Sequence, residues 1–197
     1  MKNIFTLLAL LLTVCFINLQ EVNAQPAANN NTVLILDETV TSGINSVEAQ
    51  ACITAGFSVE IVTDAQWAAK SQADFATYRA IILGDPTCQV GNAAIDAAEN
   101  NRTTWSPEID GNVIIVGSDP VFHQFQGGAT LVQKTINFVL SDDPGKTKTG
   151  AYICLSCYYS STCLPTSVTV LSALAAAGAD FKVIGDCVLS CYNDVHI

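Results

Sequence analysis

From Thr32 onward the chain alternates between short apolar runs and amphipathic stretches. Val33-Leu34-Ile35-Leu36 is a fully apolar run rich in branched residues, as expected of a strand buried on both faces. Asn45 to Ala55 places apolar residues at Val47, Cys52 and Ile53 with alanines between them, a helix that Gly56 stops. Phe57 to Val62 alternates as a second strand, and Asp64 can cap a helix running through Tyr78 that carries Trp67 and Phe75. Ala80 to Leu83 is a third strand ending in Gly84-Asp85-Pro86, followed by an Ala-rich helix over Asn92 to Asn100. Val113 to Val116 is a fourth strand ending in Gly117-Ser118-Asp119-Pro120. Ala129 to Leu140 then forms an amphipathic helix with Leu131, Val132, Ile136, Val139 and Leu140 facing inward. Ala151 to Cys157 reads as a fifth strand, Ser167 to Ala177 as a helix stopped by Gly178, and Phe181 to Ile184 as a sixth strand. Strands interleaved with helices predict an α/β fold: a doubly wound, mainly parallel sheet in a three-layer αβα sandwich of flavodoxin-like layout.

The residues before this alternation have a different character. Met1 to Ala24 carries Lys2, an apolar run from Ile4 to Leu19, and Val22-Asn23-Ala24 before Gln25, the pattern of a secretory signal peptide. Leu12-Thr13-Val14-Cys15 has the outline of a lipoprotein site, but the bulky Val14 before the cysteine and the better site at Ala24 favour simple cleavage. Residues 25–31 form a polar linker, leaving 32–197 as a single α/β domain. No later run is long enough to span a bilayer, so no membrane insertion is expected after cleavage and the domain is expected to be secreted or held at the cell surface.

Composition narrows the partners. The 197 residues include 8 Lys plus Arg against 18 Asp plus Glu, a net charge of −10, which excludes a nucleic-acid binder. The 50% hydrophobic content excludes a disordered tail. Cleavage at Ala24 removes Cys15 and leaves seven cysteines, read first as disulfides in an oxidising compartment. Cys157 or Cys163 with Cys187 or Cys191 are the pairings that the chain makes easiest. The odd count, and the way the chain stops at Cys191 to Ile197, suggest a piece of a longer protein.

Ligands of such sheets bind outside the carboxyl ends of the strands. Asp37, Glu38, Asp85, Ser118 and Asp119 fall there, which makes them the candidate ligand-binding set, with an extracellular protein or glycan as the expected partner. Clustered oxygen ligands suit a hard divalent cation, for which Asp37, Asp85 and Asp119 are the candidates. Against this stands a simpler reading, since Asp and Ser before Pro commonly begin turns and cap the next helix. A hydrolase using Ser118 or Cys157 with His123 or His196 is the enzymatic alternative to a non-enzymatic binding module.

Several further signals are weaker. Cys154-x-x-Cys157 lies on a strand with its side chains expected on opposite faces, which disfavours zinc and a redox pair. Gly145-Lys146-Thr147 lacks the upstream glycine of a phosphate loop, and no Gly-x-Gly-x-x-Gly follows the first strand. Tyr158, Tyr159, Tyr192 and Trp105 could form an aromatic contact surface, although partial burial accounts for them more simply. Asn30-Asn31-Thr32 and Asn101-Arg102-Thr103 are glycosylation acceptors in a host with that pathway.

Three resemblances follow from these motifs. The acids at the ends of the first and third strands, Asp37 and Asp85, with Ser118, resemble a response-regulator receiver domain. Such a domain has Lys-Pro where this chain has Ser156-Cys157-Tyr158, and an exported chain is separated from cytosolic kinases, so phosphotransfer is not expected. Ile81 to Asp85 and Val113 to Asp119 resemble the class I glutamine amidotransferase layout, in which the first segment supplies an oxyanion hole and the second a nucleophile elbow. Here Ser118, not Cys, stands at the elbow, with His123 following it. Gly150 to Tyr159, Gly84 to Cys88 and Cys191 to Ile197 also resemble segments of a module of large secreted bacterial surface proteins with adhesive or Ig-like repeats. That family implies no particular activity.

Overall fold

The structure is a computed structural model that describes residues 31–86, 92–141, 149–155, 158, 164–174, 180–185 and 195–196. The predicted leader, Cys88, Cys157, Cys163, Cys187, Cys191, Asp143 to Thr147, Tyr159 and Tyr192 lie outside the described residues.

Five parallel strands form the central sheet: β1 (Thr32–Leu36), β2 (Ser58–Val62), β3 (Ala80–Leu83), β4 (Ile109–Val116) and β5 (Thr149–Cys154). Their order is β2-β1-β3-β5-β4, with every pairing parallel. The expected doubly wound α/β architecture is therefore present. Relative to the flavodoxin-like order 2-1-3-4-5, the last two strands exchange places, which leaves β4 at an edge. The chain reverses direction across the sheet between β1 and β3, so their carboxyl ends flank the switch point.

Strand parity divides the core in two. Val33, Ile35, Ala80, Ile82, Tyr152 and Cys154 face one layer, built from α1 (Val47–Thr54) and α6 (Gly128–Leu140). Leu34, Leu36, Ile81, Leu83, Ala151 and Ile153 face the other, built from four short helices. These are α2 (Asp64–Ala68), α3 (Gln72–Phe75), α4 (Asp96–Asn100) and α5 (Arg102–Trp105). Trp67, Phe75 and Trp105 fill this second layer, all essentially without solvent exposure.

Four local expectations are corrected. The helix expected from Asp64 through Tyr78 is two helices, because Thr63 with Gln66 and Ser71 with Asp74 each form a complete capping box. Thr63, not Asp64, is the first cap. Leu131, expected to face inward, is 43% exposed, since α6 already buries Val132, Ile136, Val139 and Leu140. The helix expected over Ser167 to Ala177 is replaced, among the described residues, by strand β6 (Thr166–Ser167) and a 3-10 turn at Thr169–Leu171. The β-branched run Thr166, Val168, Thr169 and Val170 disfavours helix there. The sixth strand is present as β7 (Lys182–Gly185) but does not extend the central sheet. It pairs antiparallel with β6 and with β8 (Val195–His196) in a separate three-stranded sheet. Its Val183 is buried between exposed Lys182 and Ile184, a one-sided pattern that suits an antiparallel sheet and not a parallel strand buried on both faces. Val183 of β7 is buried in the second core layer.

Trp67 ties the second layer to the chain beyond it. Its Nε1 donates to Asn101 Oδ1 at 2.8 Å, and Asn101 Nδ2 donates back to the Trp67 carbonyl at 3.2 Å. The Asn101 acceptor site is thus used by the fold itself. Truncating Trp67 to Ala should cost about 3–5 kcal/mol in a urea titration, through the cavity and the orphaned Asn101 amide; a cost below about 1 kcal/mol would contradict this packing.

Candidate functional site

The segments that leave β1, β3 and β4 are joined at the carboxyl end of the sheet by side-chain hydrogen bonds to backbone. Thr39 Oγ1 donates to the Leu36 carbonyl at 2.7 Å and accepts the Gly84 N–H at 2.9 Å, joining the first segment to the second. Glu48, on the first turn of α1, accepts the Asp85 N–H through Oε1 at 2.9 Å. Asp85 Oδ2 in turn accepts the Val121 N–H at 3.1 Å, reaching past β5 to the segment after β4. Asp119 Oδ1 closes the same turn by accepting the Phe122 N–H at 3.1 Å. Thr39, Glu48, Asp85 and Asp119 are all buried. The Tyr158 hydroxyl donates to the Gly84 carbonyl at 3.0 Å from the opposite layer.

Gly84 makes this junction possible by close approach. A Cβ on it would stand 2.6 Å from Val40 Cγ1, 2.8 Å from Glu48 Oε1 and 2.8 Å from the Thr39 carbonyl. Gly84→Ala should therefore destabilise the protein by about 1–3 kcal/mol in denaturant unfolding. An unchanged unfolding midpoint would mean that the junction is looser than described.

Beside the junction lies a polar cleft of about 260 Å³ lined by Asp37, Glu38, Val40, Thr41, Ser42, Gly43 and Pro86. Asp37 is half-buried and Glu38 exposed. The cleft wall turns through Ser42 at φ 74° and Gly43 at φ 53°, both in the left-handed region. Ser42 is the one non-glycine residue with positive φ among the described residues, a conformation that costs about 1–3 kcal/mol and tends to occur at functional positions.

The candidate residues separate in this frame. Asp37 and Glu38 line the cleft. Asp85 and Asp119 are buried and accept backbone N–H groups of the Val121 turn; Asp119 closes its own turn, whereas Asp85 reaches across to the segment after β4. Asp37, Asp85 and Asp119 do not converge, and no group of three or more His, Cys, Asp or Glu side chains able to hold a metal occurs among the described residues. Ser118 is exposed, and its carbonyl accepts the Cys154 thiol at 3.3 Å. His123 Nδ1 lies 2.7 Å from Gln126 Oε1, and among the described residues no hydrogen bond joins His123 to Ser118. Ser118 does not adopt positive φ, so no left-handed elbow presents it. Cys157 lies outside the described residues, and of His196 only the backbone, in β8, is described.

The cysteines and aromatics follow the same logic. Cys52 and Cys154 are both buried. Burial, and then the neighbouring Glu48, push the Cys52 thiol up to about 12, so it is not a thiolate at neutral pH. Trp105 and Tyr158 are buried, so they form no contact surface; the Trp105 indole donates to the Ala98 carbonyl at 2.8 Å.

Thr39 and Glu48 are the junction residues that sequence reasoning missed, and Glu48 is the more consequential. On a short helix Glu48 reads as a solvated residue, and its approach to Gly84 and Asp85 exists only in space. Its Oε2 and the Tyr152 hydroxyl are buried on the same layer with no hydrogen-bond partner among the described residues. Burial, partly offset by the Asp85 N–H, raises the Glu48 carboxyl to about 7. A carboxyl raised on folding favours the native state fully below its unfolded value, near 4.5, and the contribution is lost as pH rises through about 7. The shift corresponds to on the order of 3 kcal/mol. Glu48→Gln, which keeps an acceptor for Asp85, should therefore gain thermal stability relative to the parent as pH rises from 5 to 8. A constant difference in Tm across that range would show that Glu48 does not titrate there.

The fold and the site together define a doubly wound α/β domain with an acidic cleft at its topological switch point. No family model, no curated protein and no solved structure matches the chain.

Proposed function

We propose that the protein is a non-enzymatic secreted or cell-surface module that binds a protein or glycan partner at the acidic carboxyl-end edge of its sheet. The observation that carries this reading is the commitment of the Gly84 and Asp85 N–H groups. An acyl-transfer enzyme of amidotransferase-like layout needs such donors free to meet a developing oxyanion. Here Gly84 N–H is held by Thr39 and Asp85 N–H by Glu48. The absence of a Ser118–His123 hydrogen bond among the described residues points the same way, since an activated nucleophile needs its base within reach.

The cleft supports binding in its place. At about 260 Å³ it sits just below the usual range for small-molecule sites, so it suits one polar group of a larger partner rather than a whole cofactor. Export is supported by the leader pattern of Met1 to Ala24. Incubation of the folded protein with a fluorophosphonate and with an iodoacetamide probe distinguishes this reading from the hydrolase. The expected result is no labelling of Ser118 and no fast labelling of any thiol; labelling of Ser118 that is lost in His123→Ala would overturn it.

A further inference from the structure

Three large apolar side chains stand in solvent at the same end of the molecule as the cleft. Phe125 is 94% exposed, Phe122 50% and Ile44 47%. Ile44 lies just before α1, and Phe122 and Phe125 just before α6, the two helices that cover the same face of the sheet. Exposed aromatics beside a polar rim are the usual mark of a contact surface rather than of a solvated turn.

The charge around them has one sign. The segments 37–46, 84–86 and 117–128 carry Asp37, Glu38, Asp85 and Asp119 and contain no Lys or Arg, with His123 as their single basic side chain. Asp37 and Glu38 line the cleft after β1, while the phenylalanines follow β4. Those strands are three spacings apart in the order β1-β3-β5-β4, about 14 Å. Four or five residues of extended chain cover that distance.

We propose that this rim docks a short basic peptide segment, with a Lys or Arg in the Asp37–Glu38 cleft and an aromatic or aliphatic side chain against Phe122 and Phe125. The proposal rests on the binding-module reading and names its partner. Complementary charge steers such a segment to the rim and sets its direction, while the apolar anchor supplies most of the hold. A neutral glycan fits less well, because it brings no positive charge to the Asp37–Glu38 cleft.

Panning a random dodecapeptide phage library against the folded protein at physiological ionic strength tests this directly. Enriched peptides should combine an excess of Lys and Arg with an aromatic or aliphatic residue. Synthesised, they should bind Phe125→Ala and Asp37→Asn/Glu38→Gln at least about tenfold more weakly than the parent. Both changes are at exposed or half-exposed side chains, so the fold is retained. Binding to Phe138→Ala, which removes an exposed ring at the far end of α6, should be unchanged. Enrichment without basic residues, full binding to Phe125→Ala, or no enrichment at all would overturn the proposal. If instead a neutral oligosaccharide binds the parent and loses affinity in Phe125→Ala, the peptide proposal fails while the binding-module reading stands. Labelling of Ser118 by a fluorophosphonate would remove both.

Discussion

The buried Asp85 side chain at the end of β3 holds the carboxyl end of this molecule together. Its backbone N–H is taken by Glu48 of α1 and its Oδ2 takes the N–H of Val121 beyond β4. One residue thereby connects the first helix, the central strand and the segment leading to α6. Each such bond contributes on the order of 1 kcal/mol, but leaving a buried partner unpaired costs more, so the junction behaves as a unit. Thr39 extends it to the end of β1, and the close approach of Gly84 permits it.

The same bonds engage the donors that bear on the proposed function. In a doubly wound sheet the N–H groups after the strands are the natural donors for an anion or an oxyanion. Here side chains occupy two of them, and the carboxyl groups of Asp85 and Asp119 are spent on backbone. What stays open is the cleft of Asp37 and Glu38, and the apolar side chains that precede the helices. The edge therefore has acidic groups on one side and phenylalanine rings on the other.

Much of the fold could be read in the sequence, because it is written in periodicity. The apolar runs at Val33 to Leu36 and Ala80 to Leu83 are buried on both faces, and that burial leaves little choice but a central parallel strand. The helix caps were also legible, since Thr63-x-x-Gln66 and Ser71-x-x-Asp74 mark two starts where a single helix was expected. Strand order was not legible: nothing local distinguishes β5 beside β3 from β5 at the edge. The β7 pairing was likewise not legible, since its partners β6 and β8 are two-residue strands with no periodic signal of their own. At the site, Asp85 and Asp119 were placed at strand ends, where the structure has them buried with backbone N–H groups of the Val121 turn on their carboxylates. Glu48 was invisible because its significance depends on Gly84, which is near it only in space.

The strand-end backbone at Gly84, Asp85 and Val121 is committed to the fold. Residue-resolved amide hydrogen exchange measures this most directly. Protection of the Gly84, Asp85 and Val121 amides close to that of Ile81 and Ile82 in β3 is the predicted result. Exchange of those three amides at the rate of an open loop, with the strand interior still protected, would contradict it and return these donors to the pool available for chemistry.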